Sequence, residues 1–239
     1  MGSRLHWQIN SGKKKMISAI ITCAGNHSRF GRNKLLSDLA GKPVFIRTLE
    51  QFQKAKKIDE IIVSIRQEDF AVYKKILNQE KIKAKLVIGG EERYVSSYNG
   101  VKVSQGDYVV IHDGARPLVP SWLIDKVAEK VAKHQAIISA VRPFTCIKKG
   151  KGFLVEECLA RSETWVAQTP QAFVKKIITK AYQKAIKDKE FNGMDDCELV
   201  SSLGFKVKVV NGDINNIKIT VPTDLIIVEK LYQQLKGVL

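Results

Sequence analysis

A three-layer α/β fold, with a mostly parallel twisted sheet between two layers of helices, is what this sequence predicts. Short, β-branched, near-continuously apolar runs alternate with segments whose apolar residues recur at helical spacing, the pattern of parallel strands joined by crossover helices. The connections are mostly short, and no linker or internal repeat interrupts them. The chain has 239 residues and is 44% hydrophobic, enough for one substantial core, since α/β units of roughly 200 to 250 residues commonly form single domains.

Strands are expected at 17–22, 60–65, 85–88, 108–112, 136–141 and 206–210, most of them apolar throughout, as strands covered on both faces are. Helices are expected at 43–56, 69–79, 94–103, 121–133, 174–186 and 223–235. Pro43 and Pro120 fall at helix starts, where a missing amide donor is tolerated, and Thr223 before Asp224 is expected to cap the last helix. Asp195 and Asp196 are expected to start a short helix over 197–203, where the helix dipole favours carboxylates.

The stretch 146–159 breaks the alternation. Lys149, Gly150, Lys151 and Gly152 read as a turn between two short alternating runs, giving a β-hairpin arm over about residues 143–162. The arm is expected to leave the body and pair with a second copy of the chain. Residues 1–15 are polar and basic and read as an extension or tag, and residues 16–239 as one domain.

Lys and Arg number 40 against 24 acidic residues, a formal charge of +16, which concentrates polyanions near the surface. The basic residues are scattered along helices (Lys126, Lys130, Lys133; Lys175, Lys176, Lys180, Lys184, Lys187) without a nucleic-acid motif. They read as solvated helix faces, and nucleic acid is not expected as a partner. No run approaches the roughly 18 to 20 apolar residues of a membrane helix, and the N-terminus lacks a secretory core. Cys23, Cys146, Cys158 and Cys197 show no C-x-x-C spacing, and His6, His27, His112 and His134 are not spaced as ligands. Neither a zinc site nor a disulfide framework is suggested. A soluble protein of a reducing cytoplasm is the expectation.

The chemistry concentrates where strands end. The first strand runs directly into Cys23, Ala24, Gly25, Asn26, His27, Ser28, Arg29, Phe30, Gly31, Arg32, Asn33 and Lys34. Small residues there bring backbone amides close to an anion, and Arg29 and Lys34 add the charge that phosphate oxygens need; a tight turn that happens to be basic is the plain alternative. His112 and Asp113 close a strand at the carboxyl edge of the sheet, where α/β ligands bind. Asp113 can hold Mg²⁺ or a substrate hydroxyl there, or simply close an Asx turn. Arg116, before the stiffening Pro117, suits a phosphate. Lys218 stands between Ile217 and Ile219, and strand alternation would turn it to the face opposite them. Cys23 reads as a small buried residue, not a nucleophile.

The sequence A-G-x-x-x-R-F-G, followed by N-K-L-L and G-K-P-V, resembles the signature loop of sugar-phosphate and related nucleotidyltransferases. N-K-L-L with G-K-P is also similar to molybdopterin nucleotidyltransferases. Further motifs narrow the resemblance: G-G-x-x-R-x-x-S from Gly89 to Ser96, H-D-G-A-R-P from His112, R-S-E-T-W-V-A-Q-T-P-Q from Arg161, and N-I-K-I-T from Asn216 ahead of P-T-D-L. Together they resemble the methylerythritol phosphate cytidylyltransferase family over 17–239.

That resemblance implies a Rossmann-like sheet and an enzyme that uses CTP and Mg²⁺ to cytidylylate a polyol phosphate, 2-C-methyl-D-erythritol 4-phosphate in the family. It implies charge-stabilising roles for Arg29, Lys34 and Lys218, and nucleotide contacts at Ala24, Gly25, Gly89, Gly90 and Ser96. Acceptor contacts fall to Asp113, Arg116, Arg161 and Thr169, with Asp113 as metal ligand and Arg161 reaching across a homodimer interface. The chain departs from the family pattern at His27, where a second glycine is usual, and at Asn33, where proline is usual. It departs again at Thr145 and Cys146, within T-C-I-K for D-T-I-K, and at Met194 for the threonine of T-D-D. CTP use is therefore more strongly implied than the acceptor. Ribitol 5-phosphate as acceptor, or a non-catalytic nucleotide- or RNA-binding protein, are the alternatives.

Overall fold

The computed structural model describes residues 15–25, 30, 33–188 and 195–237. In chain order it runs β1 (Ile17–Thr22), a 3₁₀ turn (Lys34–Leu36), β2 (Asp38–Leu39), β3 (Lys42–Pro43), α1 (Val44–Lys54), β4 (Glu60–Ile65), α2 (Phe70–Gln79), β5 (Lys85–Ile88) and α3 (Arg93–Val103). There follow β6 (Tyr108–Asp113), α4 (Ser121–His134), β7 (Ala136–Val141), β8 (Ile147–Lys151), β9 (Leu154–Leu159), β10 (Val166–Val174), α5 (Lys175–Asp188), α6 (Asp196–Ser202), β11 (Lys208–Asn211) and α7 (Pro222–Leu235).

Among the described residues the main sheet has seven strands in the order β11-β7-β10-β6-β1-β4-β5. All neighbours are parallel except β10, which runs antiparallel to both β6 and β7. Helices cover both faces. On one, residues of α1, α2, α4 and α7 pack against Ala19, Ile21 and Val110; on the other, residues of α3, α5 and α6 pack against Ile20, Val109 and Ile111. The alternation within β1 and β6, one residue to each face, makes two cores from single strands. No helix among the described residues is long and apolar enough to cross a membrane.

Strand β10 was not expected, because Gln168, Thr169, Pro170 and Gln171 interrupt its apolar residues and a proline demotes a strand reading. The structure accommodates them with a register shift between Ala167 and Gln171 and a cis Thr169–Pro170 peptide. All of residues 168–173 are buried.

In the arm, Lys149, Gly150 and Lys151 belong to β8, and the turn lies at Gly152 and Phe153, not at 149–152 as expected. Gly152 takes φ +58°, a left-handed conformation that glycine adopts without strain. The last helix begins at Pro222, one residue before the expected cap. Its entry is closed by Asp224, whose carboxylate accepts from the Thr220 and Val221 amides. Residues 217–219 form no strand, so alternation does not govern Lys218. Asp195 caps α6 by accepting from the Glu198 amide at 3.1 Å.

Candidate active site

The first and sixth strands are parallel neighbours with Thr22 beside Asp113, so the loops that follow them leave the sheet at one edge. The Gly114 amide donates to the Thr22 carbonyl and the Cys23 amide to the Ser64 carbonyl. Gly89, after β5, approaches so closely that a side chain there would meet the Ala24 Cβ at 2.5 Å and the Ser96 hydroxyl at 2.7 Å. Only glycine fits. The Ser96 hydroxyl sits 3.0 Å from the Gly90 amide and 3.1 Å from its carbonyl. Ala24, Gly89, Gly90 and Ser96 are thus brought together as one backbone-rich wall, with Gly25 next in the chain and accepting from Arg66. Ser96 is buried, its hydroxyl engaged with the loop it braces.

Beside this wall, Asp113 is ringed by cations from three parts of the chain. Arg93 Nε lies 3.1 Å from Oδ1, while Arg116 Nε at 3.3 Å and Lys218 Nζ at 2.9 Å share Oδ2. Arg93 reaches in the other direction as well, with Nη1 2.7 Å from Asp196 Oδ2, and the Tyr182 hydroxyl donates to Asp196 Oδ1 at 2.6 Å. Two carboxylates against three cations leave the group one net positive charge. Burial opposes the charge on Asp113, but Lys218, Arg93 and Arg116 outweigh it and hold the carboxyl well below its ordinary range. Burial likewise works against the Arg93 charge, and Asp196 and Asp113 more than restore it, raising its pKa.

Behind Asp113 lies a neutral network. His112 is fully buried against the Phe52 ring, with centroids 5.0 Å apart. Burial pushes its pKa down to about 3 despite neighbouring Asp113. Thr169 Oγ1 accepts from the Asp113 amide at 3.1 Å and lies 3.0 Å from His112 Nδ1. Asn216 Nδ2 donates to the Thr169 carbonyl at 2.8 Å, and its own carbonyl accepts from Arg116 Nη1 at 2.8 Å.

Asp113, Arg116, Thr169 and Lys218, expected from separate motifs, therefore meet in one cluster. Arg161 does not join it. It sits at the base of the arm, donates to the Phe144 carbonyl at 3.3 Å and is exposed. Lys34 lies in the 3₁₀ turn after Asn33, whose side chain accepts from the Leu35 amide and donates to Asp69 at 3.1 Å. Arg29, His27 and Met194 lie outside the described residues. Cys23 is buried, and burial and then Asp113 push its thiol far up, so it carries no thiolate chemistry. A cavity of about 450 Å³ opens elsewhere, at the opposite edge of β4 and β5, beside Ile58, Lys83 and Lys85.

Arg93, Asp196, His112 and Asn216 were given no role from sequence. Arg93 stands inside the G-G-x-x-R-x-x-S motif, and that position was the available signal. Asp196 read only as a helix start. The expected role of Asp113 as magnesium ligand does not fit this donor set, because both its oxygens already face cations. Among the described residues no group of three His, Cys, Asp or Glu side chains is placed to hold a metal ion.

The family model that matches, 2-C-methyl-D-erythritol 4-phosphate cytidylyltransferase, spans residues 17–234. The chain is 37% identical over 218 residues to the enzyme of that name from Geobacillus kaustophilus, covering 89% of this chain and 95% of the relative. To that of Bacillus velezensis it is 38% identical over 224 residues, covering 91% and 96%. Among solved structures it is similar to the 4-diphosphocytidyl-2C-methyl-D-erythritol synthase of Anaerococcus prevotii, with TM-score 0.81, 35% identity and coverage of 92% and 96%. It is also similar to the 2-C-methyl-D-erythritol 4-phosphate cytidylyltransferase of Francisella tularensis, with TM-score 0.76, 29% identity and coverage of 90% and 99%.

Proposed function

Because the chain belongs to the 2-C-methyl-D-erythritol 4-phosphate cytidylyltransferase family, we propose that its rim cluster transfers CMP from CTP to that polyol phosphate, in the non-mevalonate route to isoprenoid precursors. The observation that carries this reading is the net-positive ring of Arg93, Arg116 and Lys218 around Asp113, beside the backbone wall at Ala24 and Gly89. A phosphate oxygen of the acceptor attacks the α-phosphorus of CTP, the bond to the bridging oxygen breaks, and pyrophosphate leaves. The products are pyrophosphate and 4-diphosphocytidyl-2-C-methyl-D-erythritol.

A phosphate is already nucleophilic near neutral pH, so no general base is needed and positioning dominates. Ala24, Gly25, Gly89, Gly90 and Ser96 form the nucleotide side. The family resemblance assigns Arg29 and Lys34 to the triphosphate, and Lys218, with its side chain 37% exposed, meets the α-phosphate where charge builds up. Removing one such donor typically costs roughly a hundred- to a thousandfold in turnover. Asp113, Arg116 and Thr169 take the acceptor. Mg²⁺ arriving with CTP would neutralise part of the phosphate charge, the described residues supplying no carboxylate set to hold it.

The reading extends to a homodimer. Phe153, Leu154 and Val155 at the arm's tip and Phe144 at its base are exposed apolar side chains, which a second copy would cover, and Arg161 at the arm's base is then the residue delivered across the interface. Four free cysteines, two of them exposed, support a reducing cytoplasm.

Incubation with CTP, Mg²⁺ and 2-C-methyl-D-erythritol 4-phosphate is expected to release pyrophosphate, with ribitol 5-phosphate in parallel giving little. Preference for ribitol 5-phosphate would reassign the acceptor. CTP binding without release from either would leave a nucleotide-binding protein.

A further inference from the structure

We infer that His112, held as the Nε2–H tautomer, is a positioning residue for the acceptor: it takes the only proton of the Thr169 hydroxyl and holds the Arg116 carbonyl, so that Thr169 and Asp113 offer a substrate lone pairs alone. The inference rests on the cytidylyl-transfer reading and extends it to how the site distinguishes the two ends of its polyol phosphate.

His112 Nε2 lies 3.3 Å from the Arg116 carbonyl, which can only accept, so Nε2 carries a hydrogen. The ring is fully buried, and burial, aided by the Arg116 and Arg93 cations, disfavours a second ring proton and outweighs the neighbouring Asp113 carboxylate. Nδ1 therefore holds a lone pair, and the Thr169 hydroxyl 3.0 Å away must donate to it. The same hydroxyl oxygen accepts the Asp113 amide at 3.1 Å. Its one proton and one of its two lone pairs are then used inside the protein, and what remains can only accept. Asp113, ionised by the cations around it, is also acceptor-only.

A ligand meeting these two groups must bring hydrogen-bond donors, which the hydroxyls of a polyol supply and a phosphate dianion does not. Arg116 is a donor alone and takes the acceptor's phosphate. His112 also closes a ring of contacts: from β6 to Thr169 on β10, through the Thr169 carbonyl to Asn216, and from the Asn216 carbonyl back to Arg116, whose own carbonyl it holds. Arg116 is thereby fixed at both its main chain and its guanidinium. The nucleotide wall at Ala24 and Gly89 shares none of these hydrogen bonds.

The test compares His112→Leu, which removes both ring contacts, with His112→Asn, whose amide oxygen can accept where Nδ1 does. KM for each substrate, kcat and thermal stability are measured in the full chain, with the acceptor that the wild type uses. For His112→Leu the acceptor KM is expected to rise about tenfold or more, the scale of one lost buried hydrogen bond, with the CTP KM within about twofold. His112→Asn is expected to recover most of the loss. A parallel rise in both KM values, or His112→Asn no better than His112→Leu, means that His112 serves packing only and overturns the inference. Nitrogen-15 shifts of the wild-type imidazole must also report a neutral Nε2–H ring from about pH 5 to 8, where an ordinary histidine titrates; an Nδ1–H or protonated ring overturns it too. A wild type that transfers CMP normally beside an unimpaired His112→Leu defeats this inference alone, whereas a wild type that releases no pyrophosphate defeats the underlying reading and this one with it.

Discussion

The rim around Asp113 and the arm beyond Val141 are opposite solutions to the same shortage of partners. At the rim, Asp113 and Asp196 are buried and Arg93 is half-buried, and each meets groups supplied by other elements of the same chain. In the arm, β8 and β9 pair only with each other among the described residues, and Phe153, Leu154 and Val155 stand in solvent. Isolated two-stranded hairpins are marginal in water, and contiguous exposed apolar side chains mark contact surfaces. The difference teaches that the ring around Asp113 closes within one chain, while the arm leaves its apolar tip exposed, where the proposed second copy would bind.

The harshest way to break that contrast is to remove the rim's centre. Asp113→Asn leaves Arg93, Arg116 and Lys218 facing one another without the carboxylate between them, Arg93 keeping only Asp196. Breaking a buried ion pair from one side costs on the order of 3 to 5 kcal/mol, and acceptor-dependent turnover is expected to vanish with it. Urea unfolding of the variant measures the first; a variant as stable as wild type would mean that the rim is not built around Asp113.

Next in size is the arm. Replacing Phe153 and Leu154 by serine is expected to leave monomer stability within about 0.5 kcal/mol, as for other exposed positions. It should weaken self-association by about 1.5 to 3 kcal/mol for each apolar side chain that the partner buries. Sedimentation velocity over a dilution series reads this directly. An unchanged association constant would place the dimer contact elsewhere, and a monomeric wild type would remove it.

The most gradual effect is acid sensitivity, which separates the rim from the arm. His112 is held at about 3 against about 6.5 in an unfolded chain, so between those values the unfolded state binds the extra proton and stability falls as pH falls. The slope from this one group is at most about 1.4 kcal/mol per pH unit. Asp113, depressed below the usual carboxylate range, contributes stability that is present above that range and lost as pH drops through it toward the folded-state value, extending the same trend to lower pH. His112→Leu is expected to flatten the upper part of the profile in thermal melts and leave the lower part. A variant profile parallel to wild type would show that the ring titrates normally.

Local pattern made much of this architecture readable. Ile17–Thr22, Glu60–Ile65 and Ala136–Val141 announce themselves as strands because burial on both faces demands continuous apolar residues. β10 stays hidden for the reason that makes it useful: Gln168, Thr169 and Gln171 are polar residues buried to serve the rim, with Gln171 bonded to Asp195 and Thr169 to Asp113. Motifs point to Asp113, Arg116, Thr169 and Lys218 one at a time, but not to their shared contact, since a pairing such as Lys218 with Asp113 is made by topology. Arg93 and Asp196 escape because a salt bridge between the start of one helix and another leaves no periodicity to detect. Arg161, assigned from resemblance, stands apart from the cluster within one chain, bonded to the Phe144 carbonyl at the arm's base.

Turnover of Lys218→Ala, measured with CTP and acceptor both saturating, bears most directly on the claim that the rim's positive charge drives transfer. Lys218 is partly exposed, so the variant is expected to fold, to bind CTP, and to turn over at least roughly a hundredfold more slowly. Near-normal turnover would contradict the account.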